Sequence, residues 1–210
     1  MTTFGKRPLL IVISAPSGTG KTTLCDRLVH DVDTIQYSVS CTTRSPRVGE
    51  ADGQSYHFLS KDVFQAKVEQ GAFLEHACVH GCQYGTLRET VFKALEGERD
   101  VLMDIDVQGA AQIRAYVESA ASDDPLKYAF IDIFLAPPSL ETLRERLQAR
   151  GKDSIDVIDR RMVIAEHEIE RQAEFRYFVV NDQLEDAYEV LRAIVLAEHH
   201  RLKMRCEANV

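Results

Sequence analysis

Ser14-Ala15-Pro16-Ser17-Gly18-Thr19-Gly20-Lys21-Thr22-Thr23 stands between an apolar run, Leu9-Leu10-Ile11-Val12-Ile13, and a helical pattern with Leu24 and Leu28 one turn apart. Strand, small-residue loop and helix in that order are the context of a phosphate-binding loop. A loop nearly free of side chains lets successive backbone N–H groups curl around phosphate oxygens, at the positive end of the next helix. Lys21 is placed to reach the outer phosphates, and the Thr22 hydroxyl to sit on a magnesium ion. The first glycine of the G-x-x-x-x-G-K-[ST] pattern is Ala15 here. A methyl is acceptable there if φ is negative, since only positive φ demands glycine.

A chain of 210 residues suits one domain, or one domain with mobile appendages, and 45% hydrophobic with 28% charged residues is ordinary globular usage. The net charge of −8 argues against a non-specific nucleic-acid binder and against adhesion to anionic membranes. Small phosphorylated ligands stay open, because they need only a locally positive pocket. No apolar run approaches the ~20 residues needed to span a bilayer. Lys6-Arg7 ahead of residues 9–15 imitates a signal peptide, but the apolar part is short and runs into the phosphate loop. The five cysteines (Cys25, Cys41, Cys78, Cys82, Cys206) have no disulfide spacing, which predicts reduced thiols in a cytoplasm. His76, Cys78, His80 and Cys82 occupy alternate positions and would share one face of a strand. Four ligands on one extended strand project in parallel rather than converging, so a zinc site is disfavoured.

Apolar periodicity predicts strands over 9–14, 36–41, 54–59, 73–79, 101–105, 129–135 and 177–180. Helices are predicted over 22–30, 61–70, 87–96, 107–119, 140–150, 156–174 and 184–203. Thr86 with Glu89 reads as a capping box, and Ser139 after Pro137-Pro138 as an N-cap. Strands at 9–14, 101–105, 129–135 and 177–180 are almost continuously apolar and separated by helices. That predicts an α/β fold: a parallel-sheet core around the phosphate loop, with helices on both faces. Residues 38–97 read as a mixed-β insert, and 150–167, broken at Gly151, as a short helical lid. The core then comprises 7–37, 98–149 and 168–210 of a single domain, with 119–125 an acidic surface loop.

The segment Ser38-Val-Ser40-Cys-Thr-Thr-Arg44-Ser-Pro-Arg47-Val-Gly49-Glu50 resembles the nucleoside-monophosphate signature of the guanylate kinase family. Further matches follow in order: Gly53-x-x-Tyr56-x-Phe58, Phe73-Leu74-Glu75, Tyr84-Gly85-Thr86, Asp104-Ile-Asp106-x-Gln108-Gly109, Pro137-Pro138-Ser139, Arg146-Leu-x-x-Arg150-Gly151 and Asn181-Asp182. The resemblance covers nearly the whole chain. It departs at Ala15, at Gln83 where an aromatic is common, and in extra residues around 119–125.

The resemblance implies transfer of the γ-phosphoryl group of ATP to GMP with Mg2+, giving ADP and GDP. Residues 15–23 (Ala15, Pro16, Ser17, Gly18, Thr19, Gly20, Lys21, Thr22, Thr23) would hold ATP, with Asn181 on the adenine. Arg44 and Arg47 would grip the GMP phosphate through guanidinium forks, with the hydroxyls of Tyr56 and Tyr84. Glu75 would accept from guanine N1–H and N2–H2 together, a donor pair that adenine lacks. Ser40 and Thr86 would complete base recognition, although Thr86 is equally placed to cap a helix. Asp106 would lie near the acceptor, and Asp104 would join Thr22 at the metal. Arg146, Arg150 and Arg161 would cover the transferring phosphoryl group from the lid side. ATP and GMP are the expected partners, with dGMP and the oligomeric state left open and no nucleic acid or membrane.

Two other classes compete. A guanylate-kinase-like interaction module would reuse the arginine and tyrosine phosphate site without a working ATP loop, and the intact Gly20-Lys21-Thr22 argues against it. A kinase of phosphorylated sugars would not need Ser40, Glu75 and Thr86 as a set.

Overall fold

The computed structural model describes residues 6–79, 81–151 and 153–202. The chain opens with β1 (Leu10–Ser14), α1 (Lys21–Asp31) and β2 (Ile35–Tyr37). It then runs through β3 (Cys41–Thr42), β4 (His57–Phe58), α2 (Lys61–Glu69), β5 (Phe73–Val79), β6 (Cys82–Leu87) and α3 (Arg88–Glu96). Next come β7 (Asp100–Asp104), α4 (Val107–Ser119), a one-turn α5 (Leu126–Ala129), β8 (Phe130–Ala136) and α6 (Leu140–Ala149). The last elements are α7 (Ile155–Glu170), a 3₁₀ turn Arg171–Glu174, β9 (Tyr177–Val180) and α8 (Leu184–His199).

Five strands form a parallel sheet in the order β2-β7-β1-β8-β9. The central strand β1 is buried along its whole length because each face has its own core. Leu9, Ile11 and Ile13 pack on Leu24, Leu28, Leu191 and Val195 from α1 and α8. Leu10 and Val12 pack on Val91, Leu95, Ile113 and Val117 from α3 and α4. The period-2 alternation of a strand divides one apolar run between two layers. This is the expected α/β core.

A second, four-stranded sheet in the order β4-β3-β6-β5 lies within residues 38–97. Its β3–β4 pair is parallel and its other pairs antiparallel, a mixed sheet as the sequence predicts. Its own small core stacks Phe64 on Phe73, ring centroids 4.5 Å apart. No helix among the described residues is long and apolar enough to cross a membrane.

Several local expectations are corrected. The strand expected over 36–41 is two: Ser38 N–H makes a last bond to Leu102 O, at 2.9 Å, before the chain leaves the core sheet. The strand at 54–59 shrinks to two residues, and β6 was not predicted at all. Its polar, glycine-containing sequence hides a strand whose pairing with β5 supplies the register. The expected loop 119–125 leads into α5, which periodicity is too short to detect. Thr86 does not cap α3: it lies inside β6, and Leu87 is the N-cap, with no side-chain cap bond. Ser139 does cap α6, accepting from Thr142 N at 3.1 Å. Residues 76–82 are not one strand, because Val79 pairs with Cys82 across a turn. His80, Lys203 and Cys206 lie outside the described residues, and among the described residues no group of three or more His, Cys, Asp or Glu is arranged to hold a metal ion.

Asp100, at the start of β7, anchors the sheet edge remote from the phosphate loop. Its buried carboxylate accepts from Leu9 N (2.9 Å), Thr34 Oγ1 (2.6 Å) and His199 Nε2 (3.0 Å). Burial alone would raise its pKa, but hydrogen bonds from His199 and Thr34 outweigh burial and hold it below the ordinary value. A depressed carboxyl stabilises the fold above about pH 4 and loses that contribution in acid. Asp100→Ala strands two buried donors, Leu9 N–H and His199, and the half-buried Thr34 hydroxyl, and is expected to cost ~3 kcal/mol at pH 7. Thermal melts should show a fall of roughly 6–12 °C, narrowing below pH 4; an unchanged melt would refute the anchoring role.

Candidate active site

The loop joining β1 to α1 curls over the end of the parallel sheet. Gly18 and Gly20 take φ of +98° and +97°, where a side chain is strained. Gly20 also has no room for one, since a Cβ would stand 2.5 Å from Asn181 Nδ2. Among the described non-glycine residues only Glu98 has positive φ, so Ala15 meets the condition a methyl requires. Asn181, buried just after β9, donates from Nδ2 to Thr19 O at 2.6 Å. Lys21 opens α1, pairs with the Asp104 carboxylate at the end of β7, and donates to Ile105 O at 3.3 Å. Ser14 Oγ and Thr19 Oγ1 are buried hydroxyls without a protein partner.

Two clefts meet this loop. One, of about 400 Å³, is lined by Gly18, Thr19, Gly20, Arg146, Arg150, Asn181 and Asp182. The other, of about 310 Å³, brings Thr22 and Asp104 from the core together with Ser40 and Tyr56 from the insert. The sequence separates these residues by up to 82 positions, and only the approach of the insert to the core unites them.

In the insert, Glu75 is 5% exposed, which excludes a solvent-facing strand position. Burial raises its pKa, bonds from Thr86 lower it, and Asp106 raises it again. The carboxylate lies so close to α4 that a Cβ on Gly109 would meet its Oε2 at 3.1 Å. Ser40 Oγ is 3.3 Å from Thr86 Oγ1, so Ser40, Glu75 and Thr86 form one polar group in a buried corner. Asp106 caps α4, accepting from Gln108 N (3.0 Å) and Gly109 N (2.8 Å). Arg44 lies 5.4 Å from the Tyr56 ring centre, and Tyr56 meets Tyr84 edge-on at 5.9 Å. Arg47 is exposed.

The lid-side arginines differ from one another. Arg146 donates to Asn181 O (2.8 Å) and Asp182 O (3.0 Å), which turns it toward the 400 Å³ cleft and ties α6 to the segment after β9. Arg150 ends α6, exposed, and lines the same cleft. Arg161 reaches from α7 to Ser17 Oγ at 3.2 Å and pairs with Asp153. Donor-side candidates (Gly18, Thr19, Gly20, Arg146, Arg150, Asn181) thus line one cleft, and Thr22, Asp104, Ser40 and Tyr56 the other; Lys21, Arg44, Arg47, Glu75, Tyr84, Thr86, Asp106 and Arg161 are in neither lining.

A family model for guanylate kinase matches residues 7–198. The guanylate kinase of Alkalilimnicola ehrlichii is 47% identical over 194 residues, covering 92% of this chain and 91% of that one. That of Neisseria meningitidis is 48% identical over 188 residues, 90% of this chain and 87% of its own. The crystal structure of guanylate kinase from Anaplasma phagocytophilum superposes with a TM-score of 0.70 at 29% identity, covering 94% of this chain and 89% of that one.

Glu168 belongs to no motif, yet it shares a face of α7 with Arg161 and Ala165, seven and three positions before it. Burial pushes its carboxyl up to about 7, with Lys21 opposing and Asp106 adding to the rise. The signal in the sequence was spacing from Arg161, a clue visible only once Arg161 is known to touch the loop. A raised acid destabilises the fold as pH climbs from the ordinary value toward 7, because the unfolded chain releases its proton first. Glu168→Gln should therefore melt higher than the parent at pH 8 and identically at pH 4. A gain that persists at pH 4 would show that ionisation is not the cause.

Proposed function

The chain belongs to the guanylate kinase family, and from that premise we propose how its own side chains divide the reaction. The enzyme transfers the γ-phosphoryl group of ATP to GMP, giving ADP and GDP. The loop 15–23 cradles the ATP phosphates with backbone N–H groups at the N-terminus of α1. Asn181 braces that loop through Thr19 O and borders the cleft that takes the adenosine half. Lys21 has three N–H donors, of which Asp104 and Ile105 O engage two, so one is available to the outer phosphates.

The Thr22 hydroxyl and the Asp104 carboxylate are hard oxygen donors on one cleft, a set that fits Mg2+. When bound, that ion neutralises charge on the phosphates. Arg44, Arg47, Tyr56 and Tyr84 hold the GMP phosphate, and Ser40, Glu75 and Thr86 hold its base. No general base is required: a phosphate monoester has its second pKa near ~6, so the attacking oxygen is ionised at neutral pH. The remaining work is positioning and charge neutralisation. Arg146, Arg150 and Arg161 supply the latter from the donor side, and closure of the insert and of residues 150–167 excludes water.

The observation that carries the acceptor assignment is the buried Glu75 beside Thr86 and Ser40. A carboxylate in a dry corner is satisfied by guanine's two donors and left unpaired by adenine, a mismatch worth ~10⁴–10⁵ in discrimination. Steady-state turnover of GMP, AMP, CMP and UMP, with and without Mg2+, tests the assignment. GMP should dominate and require the metal; comparable turnover of AMP would overturn the role of Glu75. Glu75→Gln should raise KM for GMP and leave KM for ATP unchanged, whereas equal losses for both would point to a general defect.

A further inference from the structure

Glu50 ties together the turn that carries both acceptor-side arginines. Its carboxylate accepts from Arg44 Nη1 (3.0 Å), Arg44 Nη2 (2.8 Å) and the backbone N–H of Arg47 (2.7 Å). The turn is closed in the other direction by Glu50 N–H on Arg47 O at 3.1 Å. Arg44 Nη1 gives a further proton to Ser45 O at 2.8 Å. A guanidinium has five N–H donors and two edges that can take an oxyanion bidentately, the Nη1–Nη2 end and the Nε–Nη2 side. Here the end-on edge belongs to Glu50 and both Nη1 protons are used. The side edge keeps the Nε proton and one Nη2 proton, and the Tyr84 hydroxyl, hydrogen-bonded to the same guanidinium, accepts one of these two.

Two roles for this carboxylate would have opposite effects. As a competitor, Glu50 would occupy the place of the GMP phosphate, and its removal would tighten GMP binding. As a brace, it would fix the fork, and its removal would weaken GMP binding. The hydrogen bonds decide for the brace. Glu50 takes the edge that phosphate does not need, and leaving it would break the Arg47 N–H bond and loosen the turn. The charge balance is also adequate, since two arginines against one glutamate leave a net positive pocket for the phosphate.

We propose that Glu50 is a positioning residue for the acceptor phosphate: it locks Arg44 so that the Nε–Nη2 edge faces the GMP phosphate. The proposal rests on the reading that Arg44 grips that phosphate. Locking a long, rotamer-rich side chain before binding removes an ordering cost that the ligand would otherwise bear.

The test compares Glu50→Gln, Glu50→Asp and Arg44→Gln in the full chain. KM for GMP is measured at saturating ATP, and guanosine, which has the base without the phosphate, is titrated as a competitive inhibitor. Glu50→Gln should raise KM for GMP about tenfold, with kcat, KM for ATP and the inhibition constant of guanosine unchanged. Glu50→Asp, which keeps the charge, should recover part of the loss. An unchanged or lower KM for GMP in Glu50→Gln, with a raised KM in Arg44→Gln, overturns the brace and spares the acceptor reading. Equal weakening of guanosine and GMP in Glu50→Gln also overturns it, because the defect then extends beyond the phosphate. If Arg44→Gln leaves KM for GMP unchanged, the acceptor reading itself fails.

Discussion

Parallel pairing of β1 with its two neighbours is the constraint on which the rest of the molecule depends. Ile13 is level with Asp104, Ser14 with Phe134, and Ala136 with Val180. Strands that run in one direction end on one edge, so every loop that follows them opens on the same side. The phosphate loop, Asp104 with Ile105, Ser139 with α6, and Asn181 with Asp182 meet there although they are far apart in sequence. The first turn of α1 points its free N–H groups at the same place.

The two edges of this sheet treat charge differently. At the far edge, His199 and Asp100 are 3% and 2% exposed, and Leu9 N–H, Thr34 Oγ1 and His199 Nε2 share the Asp100 carboxylate as acceptor. Arg7 reaches Glu198 at 2.6 Å, and Tyr177 shares that carboxylate. Such a closed network resists change, since removing one member strands the others. At the phosphate edge the pairs are more open: Arg161 is 37% exposed where it meets Asp153. Partly solvated ion pairs contribute only ~0–1 kcal/mol, so the Arg161–Asp153 pair is inexpensive to rearrange. Arg44 combines the two behaviours, with its Nη1–Nη2 end committed to Glu50 and its Nε–Nη2 edge outside that pair.

Much of this was readable in the residues because the signals are local. The helix and strand periods of residues 9–31 and 98–147 reflect burial on defined faces, and the parallel core follows from them. Ser139 before α6 was readable for the same reason, since a cap is satisfied within four residues. Thr86 misled because a cap signature is also compatible with a strand residue, and pairing with β5 decided between the two. The strand β6 was invisible for a related reason: its sequence, Cys82–Leu87, has no apolar alternation of its own and is ordered by its neighbours.

The sequence by itself determined the nucleotide-binding loop, the α/β core and, through residues 38–50, 73–75 and 84–86, the resemblance that names an acceptor. Those follow from residue types at short spacings, which local physics constrains. Only the tertiary structure decided that Glu75 is buried rather than solvent-facing, that Glu168 lies within the field of Lys21 and Asp106, and that Glu50 holds one edge of Arg44. Burial, proximity of charges and the direction of a hydrogen-bonding edge are properties of distances between segments. Such distances arise when the two sheets and α7 pack together, and no window of the chain contains them.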